Sequence, residues 1–331
     1  MLKNYKFLIG LFCLTIFLGS LIFTKTANAW GFWAHKRINR IAVFTLPVDI
    51  IGFFKENIDY ITDHSVDADK RRHGVEGEAP KHYIDIDHYC AFPHGCVPKN
   101  WEEAVEKFSA DTLEAYGTSP WNLKENYKDL VYAFKSLNTN RILKECADFG
   151  HYLADIHVPL HTTINYNGQL SGQKGIHAFW ETRIPELLGE DYDYFVGKAA
   201  YITNIEEKIW EIVYESSAAV DSVLNFEKQL SQSFESDKIK TYEERAQTVS
   251  ETYSQEYTLA YNNMLLNMSE RRLRISIINL GSFWLTAWVD AGQPDLSKLT
   301  AYKVTEEEIK QQEELERQYQ NEKIKGREHP H

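Results

Sequence analysis

The sequence predicts an all-α protein, a single multi-helix domain. Two observations carry this: apolar residues recur at helical spacing along most of the chain, and no run alternates apolar and polar residues as a half-buried strand would. No internal repeat divides the chain.

The first 29 residues are read apart from that domain. Lys3 and Lys6 precede an apolar stretch from Phe7 to about Phe23, and Ala27-Asn28-Ala29 offers a small-x-small cleavage site. This is the pattern of a secretory signal peptide, with cleavage between Ala29 and Trp30 and a secreted or periplasmic product. Cys13 lies mid-stretch, away from a lipoprotein cleavage position. An uncleaved anchor is the alternative, since the apolar stretch is nearly long enough to span a bilayer.

Residues 30–300 form the expected helical domain. Ala34 to Phe44 has a helical pattern that stops before Pro47, and Asp49 to Ile61 is a second such segment. Trp101 to Tyr116 reads as one helix ended by Gly117; Trp121 to Leu137 and Arg141 to His157 follow, the latter stopped by Pro159. Residues 159–176, rich in Asn, Gly, Gln and Ser, read as a loop. His177 to Leu188, with Pro185 inside, is a shorter helix, and long amphipathic segments cover 204–232 and 240–290. Residues 301–331 are a charged tail, either a solvated helix or disordered.

Charge and cysteines narrow the setting. The net charge is −12, and the first 29 residues hold three lysines and no acid, so the remainder is more acidic still. Such a surface does not steer polyanions at long range, although bound metal ions would reverse the sign locally. Cys90 and Cys96 bracket a short loop that can close as a disulfide in an oxidising compartment, leaving Cys146 as a buried thiol on an apolar helix.

The chemistry resides in an ordered series of histidines and acids: Trp30…His35, Asp67, His82, His151…Asp155, His161, His177…Glu181. Imidazole and carboxylate are the ligands that zinc and similar metals take. His151/Asp155 and His177/Glu181 are each four apart on an expected helix and so share a face. One such pair is more often an ordinary surface pair. Two pairs with His161 between them point to a site for more than one ion. His64, His73, His88, His94 and His157 have ordinary surface or core roles as the simpler reading. His88 is the best of these, because an extended His82–His88 segment would put both on one face. Phe32, Trp33, Phe179 and Trp180 sit beside these residues and are candidates to line a cleft, with core packing the commoner role.

The order of these residues resembles the superfamily of bacterial zinc-dependent phospholipase C and the single-strand-specific zinc nucleases. The most specific stretches are His151-Tyr152-Leu153-Ala154-Asp155-Ile156-His157-Val158-Pro159-Leu160-His161 and His177-Ala178-Phe179-Trp180-Glu181. The resemblance runs from Trp30 to Glu181. It implies a mostly helical fold with three zinc ions in a cleft, and a mature N-terminal tryptophan that ligates metal through its amine and carbonyl. Carried onto this chain, Trp30 and His35 would hold one zinc, with Asp155 bridging to a second. Asp67, His82 and His151 would complete the second site, and His161, His177 and Glu181 the third. Asp69 competes with Asp67 for its place; the spacing to His82 favours Asp67 within the family pattern.

The implied activity is zinc-dependent hydrolysis of a phosphodiester. The metals would bring the pKa of bound water from about 15.7 towards 7, and the hydroxide would attack phosphorus in line, with Asp67 and Asp155 as the catalytic carboxylates. The substrate would be a phospholipid head group or single-stranded nucleic acid, and no protein partner is implied. Glu181 and the bacterial-type signal peptide lean towards phospholipase C, because the nucleases use Asp at that position. The five-residue step from Trp30 to His35 is similar to the nucleases. A reading of another class is a non-catalytic, metal-stabilised envelope binding protein.

Overall fold

The computed structural model describes residues 30–91, 95–245, 248–299, 301–321 and 323–325; the expected signal peptide lies outside them. The described chain is all-α apart from one hairpin. Among the described residues no helix is long and apolar enough to cross a membrane.

Helix α1 (Trp30–Ala42) leads into α2 (Val48–Glu56) and α3 (Ile58–Asp63). The segment expected as one helix at 49–61 breaks at Asn57. Its side-chain amide donates to the Phe53 carbonyl (2.8 Å), while its Oδ1 accepts the Tyr302 N–H (2.8 Å). An Asn side chain that bonds main-chain groups competes with the helix in this way. Two short helices follow, α4 (Asp67–Arg71) and α5 (Ile86–Tyr89). The stretch from His82 to His88 is therefore not extended. His88 is exposed and stacks on Tyr116 with ring centroids 3.4 Å apart, away from His82.

The helix expected over 101–116 is two, α6 (Trp101–Phe108) and α7 (Ala110–Tyr116). Ser109 between them has φ +70 and caps α7 by accepting the Thr112 N–H. Cys90 and Cys96 form a disulfide, and Cys146 is a buried free thiol, as the sequence leads one to expect. Helices α8 (Ser119–Ser136) and α9 (Thr139–Asp155) make an antiparallel pair, turned by Leu137 in the left-handed region and restarted by the Asn138 cap.

The short helix expected at 177–188 comes in three pieces: α10 (Ile176–Ala178), a π turn (Phe179–Arg183) and α11 (Ile184–Leu188). Pro185 has no N–H to give the carbonyl four residues back, and the helix widens ahead of it. The long α12 (Ile205–Ser233) is capped by Asn204. The next stretch corrects the sequence reading of 240–290 as helix throughout. Strands β1 (Lys240–Arg245) and β2 (Thr248–Tyr253) form an antiparallel hairpin before α13 (Gln255–Met264) and α14 (Met268–Asp290). The hairpin is tied to the π turn: Tyr253 stacks on Phe179 at 3.7 Å, and Arg183 donates to the Tyr253 carbonyl at 2.8 Å. The tail carries α15 (Glu306–Asn321), none of whose side chains is buried.

Helix α14 forms the centre of the main core. Its Ile277, Leu280, Phe283 and Trp284 are fully buried, and Trp284 stacks on Phe54 at 5.1 Å. A second apolar cluster gathers Phe179, Trp180, Val223, Tyr257 and Tyr261. Phe179 is therefore a core residue, while the buried Trp180 also borders a small cavity beside His35 and Glu181.

Candidate metal centre

Three helices and three turns bring the histidines and acids together. His35 lies on α1, His151 and Asp155 on the last turns of α9, His82 and His161 in single 3-10 turns, and His177 and Glu181 on α10 and the π turn. The crossing of α1 and α9 sets the centre. Gly150 lets Asn39 approach, and His35 and His151 stack with ring centroids 3.9 Å apart. His35, His82, His151, Asp155, His161, His177 and Glu181 are all buried.

Three of the histidines are oriented in the same way. The Nδ1–H of His151 donates to the Ser65 carbonyl (2.8 Å), that of His161 to the His82 carbonyl (2.6 Å) and that of His177 to the Tyr166 carbonyl (3.0 Å). Each bond fixes the tautomer and leaves the Nε2 lone pair facing inwards, as metal-ligating histidines are usually held. His151 Nε2 lies 3.1 Å from His82 Nδ1 and 3.4 Å from Asp155 Oδ2. His177 Nε2 and His161 Nε2 lie 2.6 Å and 3.5 Å from Glu181 Oε2.

Asp155 is the hub. Its Oδ1 is 3.3 Å from His35 Nε2, and its Oδ2 is 2.9 Å from His82 Nδ1. Burial alone would raise its pKa, but His151, His161 and the bonds from His35 and His82 outweigh burial and hold the carboxyl well below the usual range. Burial, followed by the neighbouring His35, brings His151 down to about 4. Burial also pulls His35 down, but Asp155 overcomes it and the net shift is upward. Around neutral pH this gives an ionised carboxylate facing a neutral His151 imidazole, the protonation states that metal binding requires.

The donor set fits metal ions. His35, His82, His151, Asp155, His161, His177 and Glu181, together with Asp69, form four overlapping groups of three whose ligand atoms lie within 4.8 Å of one another. One group, His161/His177/Glu181, is the set the resemblance assigns to a third ion, and another, His82/His151/Asp155, gathers two residues of the expected second site with the carboxylate expected to bridge to it. Asp155 and Glu181 each occur in two groups and link them. His35 Nδ1 and His82 Nε2 are buried without hydrogen-bond partners.

One preference from the sequence is reversed. Asp69, not Asp67, faces the centre: its Oδ1 lies 3.7 Å from His82 Nδ1 and 3.6 Å from His151 Nε2. Asp67 turns the other way. Its Oδ2 lies 2.6 Å from His64 Nδ1 and accepts from Gln312 on α15 at 2.8 Å. Trp30 is the first residue of α1.

Sequence reasoning missed the support around His82. Glu78 Oε1 stands 3.9 Å from His82 Nε2 and is bonded by Arg71 and the Tyr152 hydroxyl. Burial would raise the Glu78 carboxyl, but Arg71 and then His82 outweigh it and bring it to about 2. The spacing of Glu78 four residues before His82 is the signal that was there to read. His157 is structural: Nδ1 donates to the Leu153 carbonyl at 2.7 Å, and Nε2 accepts from Asn279 at 2.9 Å.

Comparison of this chain with protein-family models and with curated proteins found no match.

Proposed function

We propose that this chain is a secreted zinc-dependent phosphodiester hydrolase, phospholipase C-like, with three zinc ions in the centre. The observation that carries the reading is the set of three histidines tethered through Nδ1 to main-chain carbonyls, their Nε2 atoms turned inwards beside buried carboxylates. A site with purely structural zinc closes with four ligands per ion, whereas about nine ligands shared over three ions leave coordination positions open.

In this reading Trp30, His35 and Asp155 hold one ion, Asp69, His82 and His151 a second, and His161, His177 and Glu181 the third. When bound, the metals lower the pKa of water and neutralise the charge of a phosphodiester. The protein's own groups do the rest. Asp155 holds the His35 and His82 rings in place through its two oxygens. Asp69 takes over from Asp67 the task of orienting and deprotonating the attacking water, since Asp67 is bonded to His64 and Gln312. Glu78 supports His82 from behind.

Glu181 and the expected signal peptide favour a phospholipid head group as substrate. The Trp30–His35 step favours the second reading, a single-strand-specific nuclease. The deciding experiment supplies zinc to the chain beginning at Trp30 and offers phosphatidylcholine vesicles and single-stranded DNA, each with and without EDTA. EDTA-sensitive release of phosphocholine is the expected outcome. EDTA-sensitive DNA cleavage transfers the assignment to a nuclease. Full zinc loading with no turnover on either substrate overturns the hydrolase reading in favour of a non-catalytic metal-stabilised binding protein.

A further inference from the structure

Helix α15 is unlike the others. It is strongly acidic at its start, with Glu306, Glu307 and Glu308 in the first turn, and none of its side chains is buried. Its position is nevertheless specific. Gln312 donates to Asp67 Oδ2 at 2.8 Å, and Lys70 Nζ pairs with Glu316 at 3.2 Å. Asn140 donates to Glu308 at 2.9 Å. The Tyr319 ring packs on Phe32 of α1 at 5.6 Å and against His73 at 5.0 Å. Beyond the helix, Lys325 donates its N–H to the Arg72 carbonyl at 2.8 Å and its ammonium to the Gly74 carbonyl at 2.9 Å.

These anchors surround one side of the metal centre. Asp67 and Lys70 flank Asp69 on α4, and Phe32 lies one turn before His35 on α1. Between α15 and the rest of the chain lies a cleft of about 620 Å³, lined by Tyr60, Tyr302 and Leu315 together with Asp67, Arg71 and Asp148. No side chain of the helix is fully buried, so with Tyr319 as its main ring contact it loses less apolar burial on leaving than a core helix would, and its ion pair weakens with salt.

We propose that α15 is a displaceable lid on the Asp69 side of the metal centre, tied down by Lys70–Glu316 and Gln312–Asp67 and closed by the Tyr319 ring. The lid deepens the metal-centre reading and rests on it only for what lies beneath. It places access to the Asp69 side of the centre under the control of ionic strength, or of any cationic or anionic surface that competes for α15.

The test needs a readout independent of metal. In the full chain stripped of metal, carbodiimide amidation of carboxylates is followed by mass spectrometry of the Asp69 and Glu227 peptides. Glu227 is buried in the second apolar cluster region, bonded to Tyr257, and serves as the fold control. Lys70→Glu and Tyr319→Ala are expected to raise Asp69 labelling about fivefold, the factor available from one exposed pair at the upper end of its usual strength. The double exchange Lys70→Glu with Glu316→Lys is expected to restore protection, and Glu227 to stay unlabelled throughout. In parallel, Zn²⁺-loaded Tyr319→Ala should release zinc to excess chelator faster than the parent at equal zinc content. Unchanged Asp69 labelling in both single variants overturns the lid. Increased labelling in a chain that takes up no zinc leaves the lid standing and removes the metal reading. Unchanged labelling and release in a chain that binds zinc does the reverse.

Discussion

Gly150 and Asn39 meet where α9 crosses α1, so closely that a Cβ on Gly150 would stand 2.2 Å from Asn39 Oδ1. Asn39 in turn donates to the His35 carbonyl at 3.0 Å, and His151 follows Gly150 directly. The absence of one methyl group thus sets the spacing at which His35 and His151 stack. Gly150→Ala should destabilise the fold by about 2 kcal/mol through overpacking and lower the metal content of what folds. Denaturant midpoints and metal analysis of the purified variant check both effects.

The choice between the two early acids is open to direct comparison. Asp69→Asn should lose bound zinc, with affinity down by at least the factor of about ten to a hundred seen when a metal site loses only a supporting group. Asp67→Asn should keep its zinc and loosen α15 instead, because the carboxylate bonded by Gln312 is weakened. Zinc titration of the two variants side by side decides it; the opposite ranking would return Asp67 to the centre.

Asp155 faces His35, His82 and His151 together, at 3.3, 2.9 and 3.4 Å. Asp155→Asn should remove most bound metal and all metal-dependent turnover at once. Turnover that persists after complete metal loss would sink the metal-dependent mechanism. Elemental analysis and the vesicle and DNA assays on the same preparation give both numbers.

Acid stability is linked to Asp148. Burial would raise its carboxyl, but Arg71 and then Lys144 outweigh burial and bring it to about 2. Its pKa is depressed in the fold, so it stabilises the protein above about pH 4, and that stabilisation disappears as pH falls from 4 towards 2, about 2 kcal/mol in all. Asp148→Asn should lower stability by that order at pH 7 and make the loss between pH 4 and pH 2 shallower. Urea midpoints at pH 7, 4 and 3 measure it; a parallel downward shift at every pH would contradict the linkage.

His157 lies two residues beyond Asp155 but is satisfied on both ring nitrogens by Leu153 and Asn279. His157→Ala should cost about 3 kcal/mol, as a large buried side chain is lost and Asn279 is left unpaired, while zinc stoichiometry stays that of the parent. A drop in zinc per folded chain would show that the ring supports the centre.

Much of this architecture was legible in local sequence. Helical periodicity marks α1, α8, α9 and α12 because a buried stripe recurs every three to four residues whatever the helix packs on. The four-residue steps His151–Asp155 and His177–Glu181 place each pair on one face by helix geometry alone. The short Cys90–Cys96 loop announces its disulfide. What local sequence did not show was the breaks and the hairpin. Asn57 interrupts α2 and α3 because Tyr302, 245 residues away, supplies a partner for its side chain. The strands at 240–253 depend on Phe179 and Arg183 for a place to dock, and strand preference is governed by such context.

The sequence by itself determined the helical class, the order of histidines and acids, and the pairing of the cysteines, since each follows from spacing along the chain. Only the tertiary structure decided which acid enters the centre and where the tail lies. Asp67 and Asp69 are two positions apart, hence about 200° apart around a helix, so they point to opposite sides and only one can face His82. Which one does so depends on how α4 is rotated against α9 and α15, a choice made by packing and by Gln312 rather than by any spacing within the segment.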